Sequence, residues 1–320
     1  MTAALQRDRQ RSRAQNGGPR RIRTSERERL VAFLDDGLRR GERGRLQAEY
    51  PVSMSPRDLR GHFAWFVAGQ PVAHAMLHEI EVCARGRRLR AGLIGNVYTA
   101  PEWRAQGLAQ RCVAACIASA QARGLPIAML WSEPRALYAR LGFTPGGSER
   151  RIVLTGDAIA RASAASSAPE VDAARESDFP VLERLYAAKP AHVARAPGAL
   201  AKLARGPEVA VLVARHGSEP IAYAACGRGD DLRGVIHEWA GDAEGELGCI
   251  AALHEHFGAQ LLLASSEPES AAERLIAAGA AATLTPLALV RVLDQAALAR
   301  AIGTAELAAW PLYVWGFDSI

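Results

Sequence analysis

Val97-Tyr98-Thr99-Ala100-Pro101-Glu102-Trp103-Arg104-Ala105-Gln106-Gly107-Leu108-Ala109 is the stretch on which the fold turns. Residues 90–99 before it read as a strand, and residues 107–123 after it carry apolar positions at helical spacing. A strand-to-helix turn leaves the first N–H groups of the helix without intrahelical partners, and the helix dipole aims them at an anion. Gly107 has no Cβ to hold a phosphate away from the main chain, and Ala109 keeps the first turn small. Arg104 adds a permanent charge on a planar fork suited to phosphate. Val97, Tyr98, Thr99, Arg104, Ala105, Gln106, Gly107, Leu108 and Ala109 are therefore expected to form a pyrophosphate cradle. It is not a Walker loop or a dinucleotide fingerprint, because neither G-x-x-x-x-G-K-[ST] nor G-x-G-x-x-G occurs in it.

Working outward, Ser25 and Glu28 have capping-box spacing, and Leu30, Val31, Leu34 and Leu38 follow at helical intervals. Residues 62–69, 72–84 and 90–99 read as strands joined by turns at Gly69-Gln70-Pro71 and Arg85-Gly86-Arg87. Beyond the cradle come a short buried strand at 126–131, a short helix at 134–141 and a strand at 150–154. Residues 156–169 are rich in Ala and Ser and read as a linker. The order of elements then repeats, with strands near 209–215, 220–227, 234–239 and 260–264, a helix at 269–278 and a strand at 285–293. Ser132-Glu133-Pro134 is echoed by Ser266-Glu267-Pro268, each between a short apolar strand and a short helix. A duplicated domain is the expected architecture. The chain divides into a disordered basic tail (1–24), a first domain (25–155), the linker (156–169), a second domain (170–294) and a C-terminal helix with a docked aromatic tail (295–320).

The arrangement V-x-T-x-P-x-x-R-x-x-G-x-A, with Tyr138-Ala139-Arg140-Leu141-Gly142-Phe143 downstream, resembles the GCN5-related N-acetyltransferase (GNAT) family over about residues 25–155. The resemblance implies an α/β fold with a mixed central sheet flanked by helices, and acetyl-CoA as co-substrate with no metal. The degenerate second copy narrows it to the enhanced-intracellular-survival type of acetyltransferase. Those enzymes have a third domain, whereas about 25 residues follow the second copy here.

The implied reaction is direct attack of a primary amine on the thioester, with no covalent enzyme intermediate. Backbone N–H groups near Val97 to Thr99 are expected to hold the oxyanion. Tyr138 matches the family's general acid, a phenol able to protonate the departing thiolate. Phe143 is expected beneath the pantetheine arm. The base stays open. Glu79 and Glu81 share one face of their strand and His74 and His78 the other. Glu133 is a further candidate, and in the survival type the chain's own terminal carboxylate reaches the site. Trp310, Tyr313, Trp315 and Phe317 make the tail far too apolar to be free, which brings Asp318 or the Ile320 carboxylate toward the acceptor.

In the second copy the equivalent turn, residues 239–247, has no Arg and carries Asp242, Glu244 and Glu246, which would repel a pyrophosphate. Ala272 falls where Tyr138 lies. This copy is not expected to bind acyl-CoA. His237 and Glu238, adjacent on a strand, are expected to be one buried and one exposed.

Composition bounds the remaining classes. The net charge of +5 arises in residues 1–24, where seven Arg face one acid. RNA or anionic lipid could meet that tail, but a solvated tail is the favoured reading and nucleic acid is not the expected partner. No apolar run is long enough for a membrane helix and no secretory signal follows Met1, so a cytoplasmic location is expected. Cys83, Cys112, Cys116, Cys226 and Cys249 form no C-x-x-C pair and read as small buried hydrophobes. Self-association is left open, and a non-catalytic CoA-binding scaffold on the same fold is the alternative to an enzyme.

Overall fold

The structure, a computed structural model, describes residues 18–55, 59–133, 135–164 and 169–320. In chain order the first half comprises β1 (Arg20–Arg21), α1 (Arg27–Leu38), α2 (Arg45–Glu49), β2 (His62–Val67), β3 (Gln70–Ala84) and β4 (Arg87–Thr99). It continues with α3 (Leu108–Ala122), β5 (Ile127–Leu130), α4 (Arg135–Ala139), β6 (Thr144–Gly146), β7 (Glu149–Val153) and α5 (Gly156–Ser163). The second half comprises β8 (Glu170–Ala173), α6 (Phe179–Ala187), β9 (Ala191–Val193), α7 (Ala199–Ala204), β10 (Ala210–His216), β11 (Glu219–Cys226) and β12 (Val235–Gly241). After these come α8 (Ala243–Phe257), β13 (Leu261–Ser265), α9 (Ser270–Ala277), β14 (Ala282–Thr285), β15 (Ala288–Val292) and α10 (Gln295–Ile302).

Two mixed sheets organise these elements. One runs β1-β2-β3-β4-β5-β15-β6, with β9 added to the far half of β3, and the other runs β14-β7-β13-β12-β11-β10-β8. The first contains one parallel pair, β4–β5, and the second its counterpart, β12–β13. Each sheet therefore repeats the same plan, as the duplicated element order implies.

The sheets do not follow the sequential cut. β7, from the first half, lies between β13 and β14 in the second sheet. β15, from the second half, lies between β5 and β6 in the first. The two halves thus exchange a strand, and one core of buried side chains runs from Leu93 and Met129 through Ile152 to Trp239 and Trp315. The crossing point demands Gly147. Its φ is +66°, and an added Cβ would meet Leu287 at 3.0 Å and the Leu312 carbonyl oxygen at 3.1 Å.

The Ala- and Ser-rich stretch expected to be a linker is helical from Gly156 to Ser163, and residues 165–168 lie outside the described residues. Thr155 caps this helix by accepting from the Ala158 N–H at 3.3 Å. Ala158, Ile159 and Ala162 bury one face. Alanine is the best helix former, so the composition that suggested a linker also suits a packed helix. Residues 1–17 of the expected basic tail lie outside the described residues, but Arg20 and Arg21 pair with β2 as a strand. Arg20 ion-pairs with Glu26, whose carboxylate accepts from the Arg23 N–H at 2.8 Å. The reciprocal cap is thus made by Glu26, not by Glu28. Among the described residues, no helix is long and apolar enough to cross a membrane.

Candidate acyl-transfer site

The site forms where β4 parts from β5. The two strands pair only at Ala91–Ile127, Gly92–Ala128 and Leu93–Met129, yet β4 continues to Thr99. Past Leu93 one edge of β4 is left open toward β5, a slot bordered by backbone N–H and C=O groups. On the other edge β4 stays with β3, but Tyr98 faces His74 and Gly95 faces Met76. Asn96 and Val97 therefore stand opposite Ala75 alone, a β-bulge. Asn96 takes φ +49°, a left-handed conformation that Asn tolerates better than most residues.

The bulge is fixed from β3. His74 is fully buried, its Nδ1 lies 2.8 Å from the Asn96 carbonyl oxygen, and its Nε2 lies 3.1 Å from His62 Nδ1. A carbonyl can only accept, so Nδ1 carries the hydrogen and Nε2 accepts from His62. Burial, with His62 adding to it, pushes the His74 pKa down to about 3. It is a neutral brace for the bulge rather than a base at neutral pH.

From Thr99 the chain turns through a short 3-10 segment, Pro101–Trp103, anchored by buried Trp103, and enters α3. Gly107 caps α3 at φ +73°, with no side chain accepting from the first turn. An added Cβ would meet nothing nearer than Gln110 Oε1 at 3.8 Å, so the backbone conformation, not crowding, calls for glycine. Ala105 is also left-handed, at φ +61°. Turns of this kind make anion-binding concavities. Arg104 is exposed beside the turn, its Nε donating to the Thr99 carbonyl at 3.2 Å. Leu108 is buried in the core, so it offers only backbone here, while Ala105 and Gly107 are exposed and Gln106 and Ala109 half-buried. Val97 faces the core under α3, whereas the Tyr98 ring packs on the opposite face against Phe33 and Gly37. Thr99 Oγ1 is buried without a hydrogen-bond partner among the described residues.

Tyr138 sits on α4, buried edge-to-face on Phe143 with ring centroids 6.3 Å apart. Burial raises the phenol pKa, with Ser132 pulling the other way. Glu133 is exposed in the bend before α4. Glu79 pairs with Arg90 and Glu81 with Arg88, so both carboxylates are spent.

The C-terminal tail reaches this place. An added Cβ on Gly95, beside the bulge, would meet Ile320 Cγ1 at 2.8 Å and its carbonyl carbon at 3.0 Å. Asp318 does not compete for the position. It binds Arg195 and accepts from Tyr186 Oη at 2.9 Å. Arg195 also pairs with Glu238, which accepts from Tyr223 Oη at 2.7 Å. Arg228 holds the Ser319 carbonyl and hydroxyl at 3.0 Å each. The sequence offered no pattern by which to find Arg195 or Arg228. The Gly95-Asn96 pair was the only local sign of the bulge.

The second sheet repeats the plan with its slot filled. Beyond Ile236, where pairing to β13 ends, Lys189 Nζ donates to the Trp239 carbonyl at 2.9 Å. Trp315 packs on Trp239 at 5.0 Å and on Tyr313 at 4.8 Å between centroids. At the start of α8 the Asp242 carboxylate accepts from the Glu244 and Gly245 N–H groups, taking the anion position with the chain's own charge. Ala272 is buried and brings no hydroxyl. His237 and Glu238 are both fully buried, contrary to the alternation rule, because the tail covers the outer face and Phe317 stands 4.6 Å from the His237 ring. Among the described residues, no three His, Cys, Asp or Glu side chains gather to hold a metal ion.

Residues 19–146 match the acetyltransferase (GNAT) domain family. Among solved structures, a GCN5-related N-acetyltransferase from Kribbella flavida is 17% identical over 88% of this chain and 73% of its own, with a TM-score of 0.64. Eis1 from Mycobacterium abscessus is 17% identical over 88% and 75%, with a TM-score of 0.57. N-myristoyltransferase from Saccharomyces cerevisiae, bound to myristoyl-CoA, is 9% identical over 86% and 82%, with a TM-score of 0.53. No curated protein matches the sequence.

Proposed function

We propose that this chain, whose residues 19–146 match the GNAT acetyltransferase domain family, moves an acetyl group from acetyl-CoA to a primary amine by direct attack in a ternary complex. The observation that carries this reading is the pairing of an uncapped α3 start with an open β4–β5 slot, set against a second copy in which both are filled. The pyrophosphate lies on the 104–109 turn, balanced by the helix dipole and Arg104. Pantetheine runs along the free edge of β4, hydrogen-bonding as a β-strand would. The thioester then meets the bulge at Asn96–Val97, whose unpaired backbone offers hydrogen to the developing oxyanion.

The amine approaches from the Ile320 side. A carboxylate at Ile320 accepts its proton, and the nitrogen lone pair forms the C–N bond. The C–S bond breaks as the Tyr138 phenol gives its proton to the sulfur. A phenol kept protonated by burial is in the right state for this at neutral pH. Glu133 is exposed in the bend before α4 and stays a second candidate for the base.

The test is to add one glycine after Ile320, which moves the terminal carboxylate by about 3.8 Å along the chain. The expected result is a loss of roughly 10²-fold in kcat/KM with acetyl-CoA affinity retained. Unchanged turnover would remove Ile320 from the mechanism.

A further inference from the structure

A cleft of about 890 Å³ lies between the two halves, and Ser319 and Ile320 form part of its wall. Its size suits a small polar molecule or a short peptide. Among the described residues, six of its lining side chains are Arg or Lys and three are Asp or Glu. Each of the three acids has its own arginine: Glu79 with Arg90, Glu81 with Arg88 and Asp318 with Arg195. Three cations have no carboxylate partner among the described residues. They are Arg21 on β1, Arg123 just past α3 and Lys202 on α7. Arg123 donates to the Arg60 carbonyl at 3.0 Å, which orients the guanidinium.

The cleft also holds a break in sheet pairing. β2 pairs with β3 as far as Met76, and β9 joins it again at Val82. Leu77 N–H donates to Gly61 on this edge, and the Glu81 carbonyl accepts from Ala194. By strand alternation the N–H and C=O of Glu79, midway between them, face the cleft. A polar molecule bound there finds one backbone donor and one acceptor as well as the three cations.

We propose that the amine acceptor carries an anionic group of its own, a carboxylate or a phosphate, seated among Arg21, Arg123 and Lys202 with its amine toward Ile320. This rests on the transferase reading for the role of the amine. A polycationic amine would meet like charge on three walls, and such juxtaposition suppresses wrong partners. The three cations come from both halves of the chain, which meet here where β9 pairs with β3.

Binding is measured by calorimetry on the full chain saturated with CoA, using matched amines. Lysine is compared with cadaverine, which lacks the carboxylate, and glucosamine 6-phosphate with glucosamine, which lacks the phosphate; spermidine serves as the polycation. The expected result is that the anionic member of one pair binds at least about tenfold tighter, which is about 1.4 kcal/mol. That ratio collapses in Arg123→Ala/Lys202→Ala and shrinks as salt is raised. The pair that shows the preference identifies carboxylate or phosphate. Equal binding within both pairs, tighter binding of spermidine, or no binding of any amine overturns the proposal. Release of CoA from acetyl-CoA is followed on the same amines. Selective binding without acetyl transfer would sink the transferase reading and leave the anionic site standing, whereas equal transfer to both members of each pair would sink this inference alone.

Discussion

Tyr138→Phe lowers kcat by at least about 10²-fold, the usual contribution of a general acid, while the melting temperature and acetyl-CoA affinity stay close to those of the parent. The ring keeps its place in the core against Phe143, so packing is preserved. What is lost is one proton donor for the thiolate. Steady-state release of CoA and calorimetry on the same preparation separate the two effects. A loss of binding with turnover would mean that the phenol holds the substrate rather than the proton. Unchanged turnover would favour a non-catalytic CoA-binding scaffold if no acceptor is acetylated by the parent, or a different acid if one is.

The second large effect is on stability. Arg195→Ala costs about 3–5 kcal/mol, because removing one member of a buried ion cluster leaves the others uncompensated. Glu238 is fully buried and Asp318 nearly so, and both lean on this guanidinium. The Arg195 side chain also stacks on Tyr186 at 4.0 Å from the ring centroid, so apolar contact goes with the charge. Urea unfolding measures the loss. Activity should fall further than stability explains, since releasing Asp318 frees the chain that lays Ile320 on Gly95. A variant as stable as the parent would show that the cluster is not what holds the tail.

The strand-to-helix turn before α3 was legible because Pro101, Gly107 and the small residues around them mark such a turn in any fold. The difference at the second turn was equally legible, from Asp242, whose carboxylate caps the start of α8. The strand exchange was not. β7 and β15 are five residues each, with no clean two-face alternation, and nothing in so short a run says which sheet a strand will join. His237 and Glu238 misled because the two-face rule assumes one wet face, and a tail nearly eighty residues away covers it. Thr155 could have announced the helix at 156–163, but Ala and Ser weigh equally for linker and helix until the burial is seen. A docked tail was expected from its four aromatics together with the resemblance, with Asp318 or Ile320 left open; the geometry lays Ile320 on Gly95 and adds Arg195 and Arg228 as what holds the tail there.

Titration of acetyl-CoA into the purified chain tests the central claim most directly. The account predicts one site per chain with an affinity in the micromolar range or somewhat weaker, about that of ordinary enzyme substrates, and clear weakening by Arg104→Glu. Two sites per chain, or none, would contradict it.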